Sequence, residues 1–146
     1  MVLSAGVIRR RLGEKSTEGD LVIRPFDDAC LQPASYDLRV SEDALLQKGQ
    51  CTLVPTLEWI ELPSDIAATL RGRSSYGRQG LLLGAGFVDP GFRGQLTLCC
   101  TNMGLKDILI PGHTRIVQMI LHEVISGDEL YSGRYQDSRG VVHARD

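Results

Sequence analysis

An all-β sandwich or barrel with one short N-terminal helix is the fold class the sequence predicts. Two observations predict it. From residue 21 onward short apolar runs recur, with Gly, Pro, Asp or Ser between most of them. No helical stretches of about 10–15 residues alternate with these runs, as βαβ units would require. The length of 146 residues suits a single domain (1–146) that buries its core without disulfide staples.

The first element is the helix. Ser4 suits an N-cap, Val7, Ile8 and Leu12 give residues 4–12 a narrow apolar face, and Gly13 ends it. Strand-like runs follow: LVI at 21–23, YDLRV at 36–40, CTLVP at 51–55, LEWIEL at 57–62, GLLL at 80–83 and GQLTLCCTN at 94–102. RIVQMILHEVI at 115–125 is long enough for a helix, but its β-branched residues and the preceding Pro111-Gly112 turn favour a strand. Residues 84–104, GAGFVDPGFRGQLTLCCTNMG, read as a tight hairpin. The polar, Gly-containing tail 126–146 is expected to end disordered unless it docks.

Bulk charge excludes more than it identifies. A net charge of −2 gives no global argument for nucleic acid or a membrane as partner. No apolar run approaches the roughly 18 residues of a spanning helix, and the expected location is the cytoplasm. Cys30, Cys51, Cys99 and Cys100 show no CxxC spacing, and the adjacent pair points to opposite faces of a strand. Reduced structural thiols are expected, rather than a zinc site or a disulfide framework. His113, His122 and His143 are too scattered for a metal site.

Two stretches carry chemistry. RGRSSYGRQG at 71–80 holds three arginines and two serines, and no acid lies between Asp65 and Asp89. Guanidinium forks, hydroxyls and glycine-freed amides suit a phosphate chain, though a solvated basic loop would look the same. Asp89-Pro90-Gly91 fits a type II turn with Gly at the positive-φ position. Asp89 could serve only the turn. Gly84, Gly86 and Gly94 around it leave room for a ligand, beside which a carboxylate can act as a general base for water.

Five collinear segments resemble the trimeric dUTPase and dCTP deaminase superfamily. They are QPASYDLRV (32–40), RGRSSYGRQG (71–80), GAGFVDPGFRG (84–94), PGHTRIVQMIL (111–121) and the deaminase-type tail SGRYQD (132–137). The resemblance implies a distorted β-barrel or jelly-roll subunit, a homotrimer, and sites between subunits that bind a deoxynucleoside triphosphate with magnesium. Deaminases of the superfamily carry TLEL on the strand after the third motif, and its glutamate moves the protons. Here that strand reads Thr97-Leu98-Cys99-Cys100, with Cys99 at the glutamate position. A thiol does not replace a carboxylate in that work. Leu83 also runs directly into GAGFVD, as in dUTPases. The mixture is similar to the deaminase-like dUTPases of archaeal type.

The resemblance therefore implies dUTP hydrolysis to dUMP and pyrophosphate, with Asp89 activating the water that attacks the α-phosphorus. It places Arg73, Ser74, Arg78 and Gln118 on the phosphate chain and counts Ser75 among the substrate-binding residues. It sets Phe92 against the deoxyribose, although core packing is an equally ordinary use of Phe. Main-chain groups of Gly84, Ala85, Gly86 and Val88 would read uracil, and Tyr131, Arg134, Tyr135 and Gln136 would close over the nucleotide. Arg115, inside the fourth motif, could reach phosphate, but an inter-subunit ion pair is its expected role. For Asp37 two readings stand: proximity to the magnesium or support of the site through a neighbouring subunit, or a strand-end aspartate satisfied by backbone amides. The rival functions are a dCTP deaminase, alone or bifunctional, and a non-catalytic nucleotide-binding regulator of the same fold.

Overall fold

The computed structural model describes residues 1–145. Two larger antiparallel sheets and a two-stranded one make up its β-structure. The four-stranded sheet runs β1 (Val22–Arg24), β5 (Cys51–Glu61), β9 (Arg93–Asn102) and β7 (Leu81–Gly84). The five-stranded sheet runs β2 (Leu31–Gln32), β3 (Ser35–Arg39), β11 (Arg115–Glu123), β6 (Ile66–Gly72) and β8 (Phe87–Val88). β4 (Ala44–Leu46) pairs with β10 (Ile108–Ile110). The sheets stay open rather than closing into a continuous barrel, and between them lies a core that includes Tyr36, Leu38, Ile60, Ile66, Leu98, Ile116 and Met119.

Local sequence accounts for most elements. In β9 burial alternates strictly along the strand, as a two-residue period requires. Helix α1 covers Ala5–Arg11, and the Ser4 hydroxyl accepts the Val7 amide at 3.4 Å. Residue 115–123 is a strand, as its β-branched content indicated.

The runs expected separately at 51–55 and 57–62 form one strand, β5, with a shift of register between Pro55 and Trp59. Proline lacks the amide a central ladder needs, so a bulge accommodates it. The Thr56 hydroxyl repairs the gap by accepting from the Leu96 amide at 3.0 Å. Next to the bulge the fully buried Glu58 takes Arg39 Nε at 2.7 Å and the Arg39 amide at 3.0 Å, tying β3 to β5. Removing one partner of such a buried pair typically costs about 3–5 kcal/mol.

The hairpin expected over 84–104 is interrupted. β7 and β9 do pair, with Gly84 opposite Cys99, but β8 leaves for the other sheet, where Val88 lies opposite Ala68 of β6. Positive φ at Ala85 (59°) and Gly86 (124°) turns the chain across. The third-motif segment thus bridges the two sheets.

The tail is docked rather than disordered. Gln95 donates its amide to Ser138 O at 2.8 Å, and Asp137 donates to Arg93 O at 2.8 Å. Gly140 and Val142 donate to the Gln95 and Thr97 side chains, while Arg139 stacks over Trp59 at 4.6 Å. Gly94 permits this approach: it sits at φ 150°, and a Cβ there would lie 2.9 Å from the Ser138 nitrogen. Asp146 lies outside the described residues. No helix among the described residues is long and apolar enough to cross a membrane.

Candidate functional site

Where β8, the Asp89 turn and β9 meet the docked tail, they enclose a cleft of about 480 Å³. Its wall includes residues 85–88, Leu53, Phe92, Leu96 and Cys99, with Tyr131, Tyr135 and Val142 from the tail. Phe92 meets Tyr131 edge-on, with ring centroids 5.7 Å apart, so an aromatic corner closes one side.

The turn forms as its residues indicated. Phe92 donates its amide to Asp89 O at 3.2 Å, and Gly91 takes φ 84°. That bond uses the Asp89 main chain. Among the described residues no hydrogen bond or ion pair holds the Asp89 carboxylate, which is exposed at the cleft. The other polar side chains of the wall are engaged. Gln95 donates to Thr56 O and accepts from Gly140, Thr97 accepts from Val142, and Ser138 donates to Tyr135 O. Asp89 is also the only carboxylate among the described residues lining the cleft. A carboxylate free of structural bonds and in contact with a cavity can take a proton from water.

Cys99 and Cys100 do face opposite ways. Cys99 lines the cleft, whereas Cys100 is fully buried behind it. Burial, reinforced by neighbouring Cys51, pushes the Cys99 thiol above its ordinary pKa, and burial pushes Cys100 up to about 12. Both stay protonated near neutral pH and act as small apolar groups.

A second cluster sits on the five-stranded sheet. Gln118 of β11 lies opposite Asp37 on one side and Arg71 on the other, so the three residues form a row across adjacent strands on one face. Arg73 follows β6 and approaches Asp37 Oδ2 with Nε at 3.5 Å. Arg115 reaches the same oxygen with Nη1, also at 3.5 Å. This ion pair is made within the chain, whereas the expected one lay between subunits. Ser74 and Ser75 belong to a single helical turn, α2 (Ser74–Gly77), with Arg78 at its end and exposed.

Asp37 is not a strand-end aspartate satisfied by amides. It lies inside β3, 1% exposed, and neither carboxylate oxygen accepts a hydrogen bond. Burial raises its pKa, opposed by Arg73 and then Arg115.

The chain brings together Asp89, Phe92, Ala85, Gly86, Val88, Tyr131 and Tyr135 in the cleft. Arg73, Ser74, Ser75, Arg78 and Gln118 do not line it. Nor do Arg134 and Gln136, two tail residues expected over the nucleotide. Gln136 instead braces the turn, accepting from the Arg93 amide and donating to Gly91 O at 2.8 Å each. Arg134 pairs with the backbone of Arg145. Gly84 lies at the end of β7 beside the cleft-lining loop. Sequence reasoning did not single out Leu53, Gln95, Thr97 or Val142 as wall residues. Only their pairing around β9 puts them there, and no local signal marks them.

A dCTP deaminase-like family model matches residues 41–124. The chain is 37% identical to a dCTP deaminase of Pyrococcus abyssi over 84% of this chain and 90% of the relative. It is 32% identical to a dUMP-forming dCTP deaminase of Streptomyces coelicolor, over 99% of this chain and 95% of the relative. Among solved structures, the EIAV dUTPase superposes with a TM-score of 0.61 at 26% identity, covering 78% of this chain and 92% of that one. A 2′-deoxycytidine 5′-triphosphate deaminase of Agrobacterium tumefaciens shares the fold with a TM-score of 0.68 at 22% identity, covering 82% of this chain and 46% of that one.

Proposed function

This chain belongs to the dCTP deaminase-like family of the dUTPase and dCTP deaminase superfamily, and we propose that within it the chain hydrolyses dUTP to dUMP and pyrophosphate. The observation that carries the proposal is the cleft itself, which among the described residues offers Asp89 as its one carboxylate and a protonated thiol at Cys99. Deamination needs a group that carries protons between water, ring nitrogen and departing ammonia. Hydrolysis at phosphorus needs one base for water, while position and charge neutralisation supply the rest.

In this reading Asp89 takes a proton from water as its oxygen bonds to the α-phosphorus. The bond from that phosphorus to the bridging oxygen breaks, and pyrophosphate leaves. Uracil lies against the backbone of 84–88, where a mismatched base would leave buried groups unpaired. Phe92 packs on the deoxyribose. Arg73, Ser74, Ser75, Arg78 and Gln118 neutralise the phosphate chain. Because these five residues do not line the cleft of their own chain, the complete site is proposed to join the cleft of one copy to the cationic face of another, in a homotrimer.

Magnesium, expected from the resemblance, fits this chain only as a companion of the triphosphate. Among the described residues no three His, Cys, Asp or Glu side chains converge as a metal cage. Asp37 faces two guanidinium groups that a directly bound cation would have to displace.

A second reading, dCTP deamination with or without dUTP hydrolysis, is favoured by the names of the relatives. The cleft opposes it for want of a second acid. The Asp89→Asn variant tests the proposed base: Asn keeps the turn, and the rate should fall at least ~10²-fold with nucleotide binding retained. Undiminished dUTP hydrolysis by this variant would reduce Asp89 to a turn residue.

A further inference from the structure

The Asp37 carboxyl is buried, and neither of its oxygens accepts a hydrogen bond. Acids this deeply buried are ordinarily both paired and hydrogen-bonded. Here the two nearest cations stand off at 3.5 Å, Arg73 Nε and Arg115 Nη1, both beside Oδ2. Each guanidinium is also held by a backbone carbonyl: Arg115 Nη1 donates to Ala29 O at 2.8 Å, and Arg73 Nη1 to Arg115 O at 3.4 Å. These contacts engage a minority of the five N–H groups on each fork. The side chains remain 32% and 37% exposed, so two forks share one buried counter-charge and keep donors open to solvent. Gln118 lies directly across the ladder from Asp37.

We infer that Asp37 is a positioning residue, whose buried charge holds the Arg73 and Arg115 guanidinium groups side by side as a receptor for a polyphosphate, and that Arg115 is a further polyphosphate-binding residue. The inference rests on the proposed nucleotide site and deepens it. Two cations and one acid leave a net positive cluster. The acid lies beneath the surface, where it orients the forks without meeting the ligand. Planar forks held side by side match phosphate oxygens better than free side chains do.

Charge and positioning predict opposite signs for one substitution. Asp37→Asn removes a negative charge next to the receptor. If only net charge mattered, a polyphosphate would bind more tightly. If Asp37 positions the arginines, it binds more weakly. The probe is inorganic tripolyphosphate with magnesium, titrated calorimetrically into the full chain and into Asp37→Asn, Arg115→Gln and Arg115→Lys. The parent should bind it, and Asp37→Asn should bind roughly tenfold more weakly, the size of one charge-assisted hydrogen bond. Arg115→Lys, which keeps the charge and loses the fork, should lose a similar factor. With dUTP the same variants should raise KM more than they lower kcat.

Unchanged or tighter binding by Asp37→Asn overturns the positioning role, as does a parent that binds no tripolyphosphate. Unchanged binding by both Arg115 variants overturns the assignment of Arg115. If Arg115→Gln fails to fold, Arg115→Lys and Asp37→Asn carry the test. A parent that binds tripolyphosphate in this pattern yet hydrolyses no dUTP would sink the proposed reaction and leave the receptor standing.

Discussion

Asp89 and Cys99 line the same cleft, the first as a carboxylate that no side chain or amide among the described residues holds, the second as a thiol that burial keeps protonated. Cys99 lies across the ladders from Gly84 on β7 and Leu53 on β5, so its neighbourhood is apolar and closely approached by backbone. The proposed chemistry follows from that contrast: Asp89 is to activate water, and among the described residues no second carboxylate lines the cleft to carry protons at the ring.

Cys99→Glu should therefore damage the site rather than convert it. The new carboxylate would be buried among apolar groups at a cost of several kcal/mol, or would titrate to neutral. We expect KM for dUTP to rise at least about tenfold, with no useful ammonia release from dCTP. Robust deamination would show that this one residue was the whole barrier.

Mixed assemblies test the division of the site. An Asp89→Asn chain and an Arg78→Ala chain should each be inactive. If a base from one copy serves phosphates held by another, co-assembled chains recover part of the parent rate. No recovery after verified subunit exchange would place both groups on one chain's site.

The tail should act as a wall of the cleft. In Gly94→Ala the added methyl meets the Ser138 backbone nitrogen at 2.9 Å, at a φ of 150° that side chains rarely adopt. We expect limited proteolysis within 127–145 to accelerate and KM for dUTP to rise several-fold. Parent-like resistance and kinetics would show that the tail's dock on β9 contributes nothing to the cleft.

Asp37 gives a pH dependence with a definite sign. Its pKa is raised in the folded chain, by burial against the two arginines, so the folded state holds its proton more tightly than the unfolded one. Its contribution to stability is present at acid pH and is lost as pH rises through the folded pKa. The Tm of Asp37→Asn minus that of the parent should thus become less favourable to the variant as pH falls from 7 towards the ordinary carboxylate range. A difference that does not change, or moves the other way, contradicts the buried-charge description.

Much of this was legible in the sequence where the signal is local. The strict alternation of 93–102, the Asp89-Pro90-Gly91 turn, the Ser4 cap and the β-branched run at 115–123 each specify their own backbone. β6 went unread, because Ala67, Ala68, Arg71 and Gly72 dilute the strand propensity of Ile66 and Thr69, and its place is set by pairing between β11 and β8. The tail was left as disordered unless docked, because its order comes from docking on Gly94, Gln95 and Thr97. The departure of β8 from its hairpin depends on a partner in the other sheet, which no window of sequence displays. Likewise the cluster of Arg73, Asp37 and Arg115 joins three distant segments, through the register of β3 against β11 and the Arg73 amide bond to Ile116 O.

The most direct measurement is an incubation of the intact chain with dUTP and, separately, with dCTP, in the presence of magnesium, following pyrophosphate and ammonia together. The account predicts pyrophosphate and dUMP from dUTP and no ammonia from dCTP. Ammonia from dCTP at a rate comparable with pyrophosphate from dUTP would contradict it, and would mean that the cleft moves protons at the ring without a carboxylate at position 99.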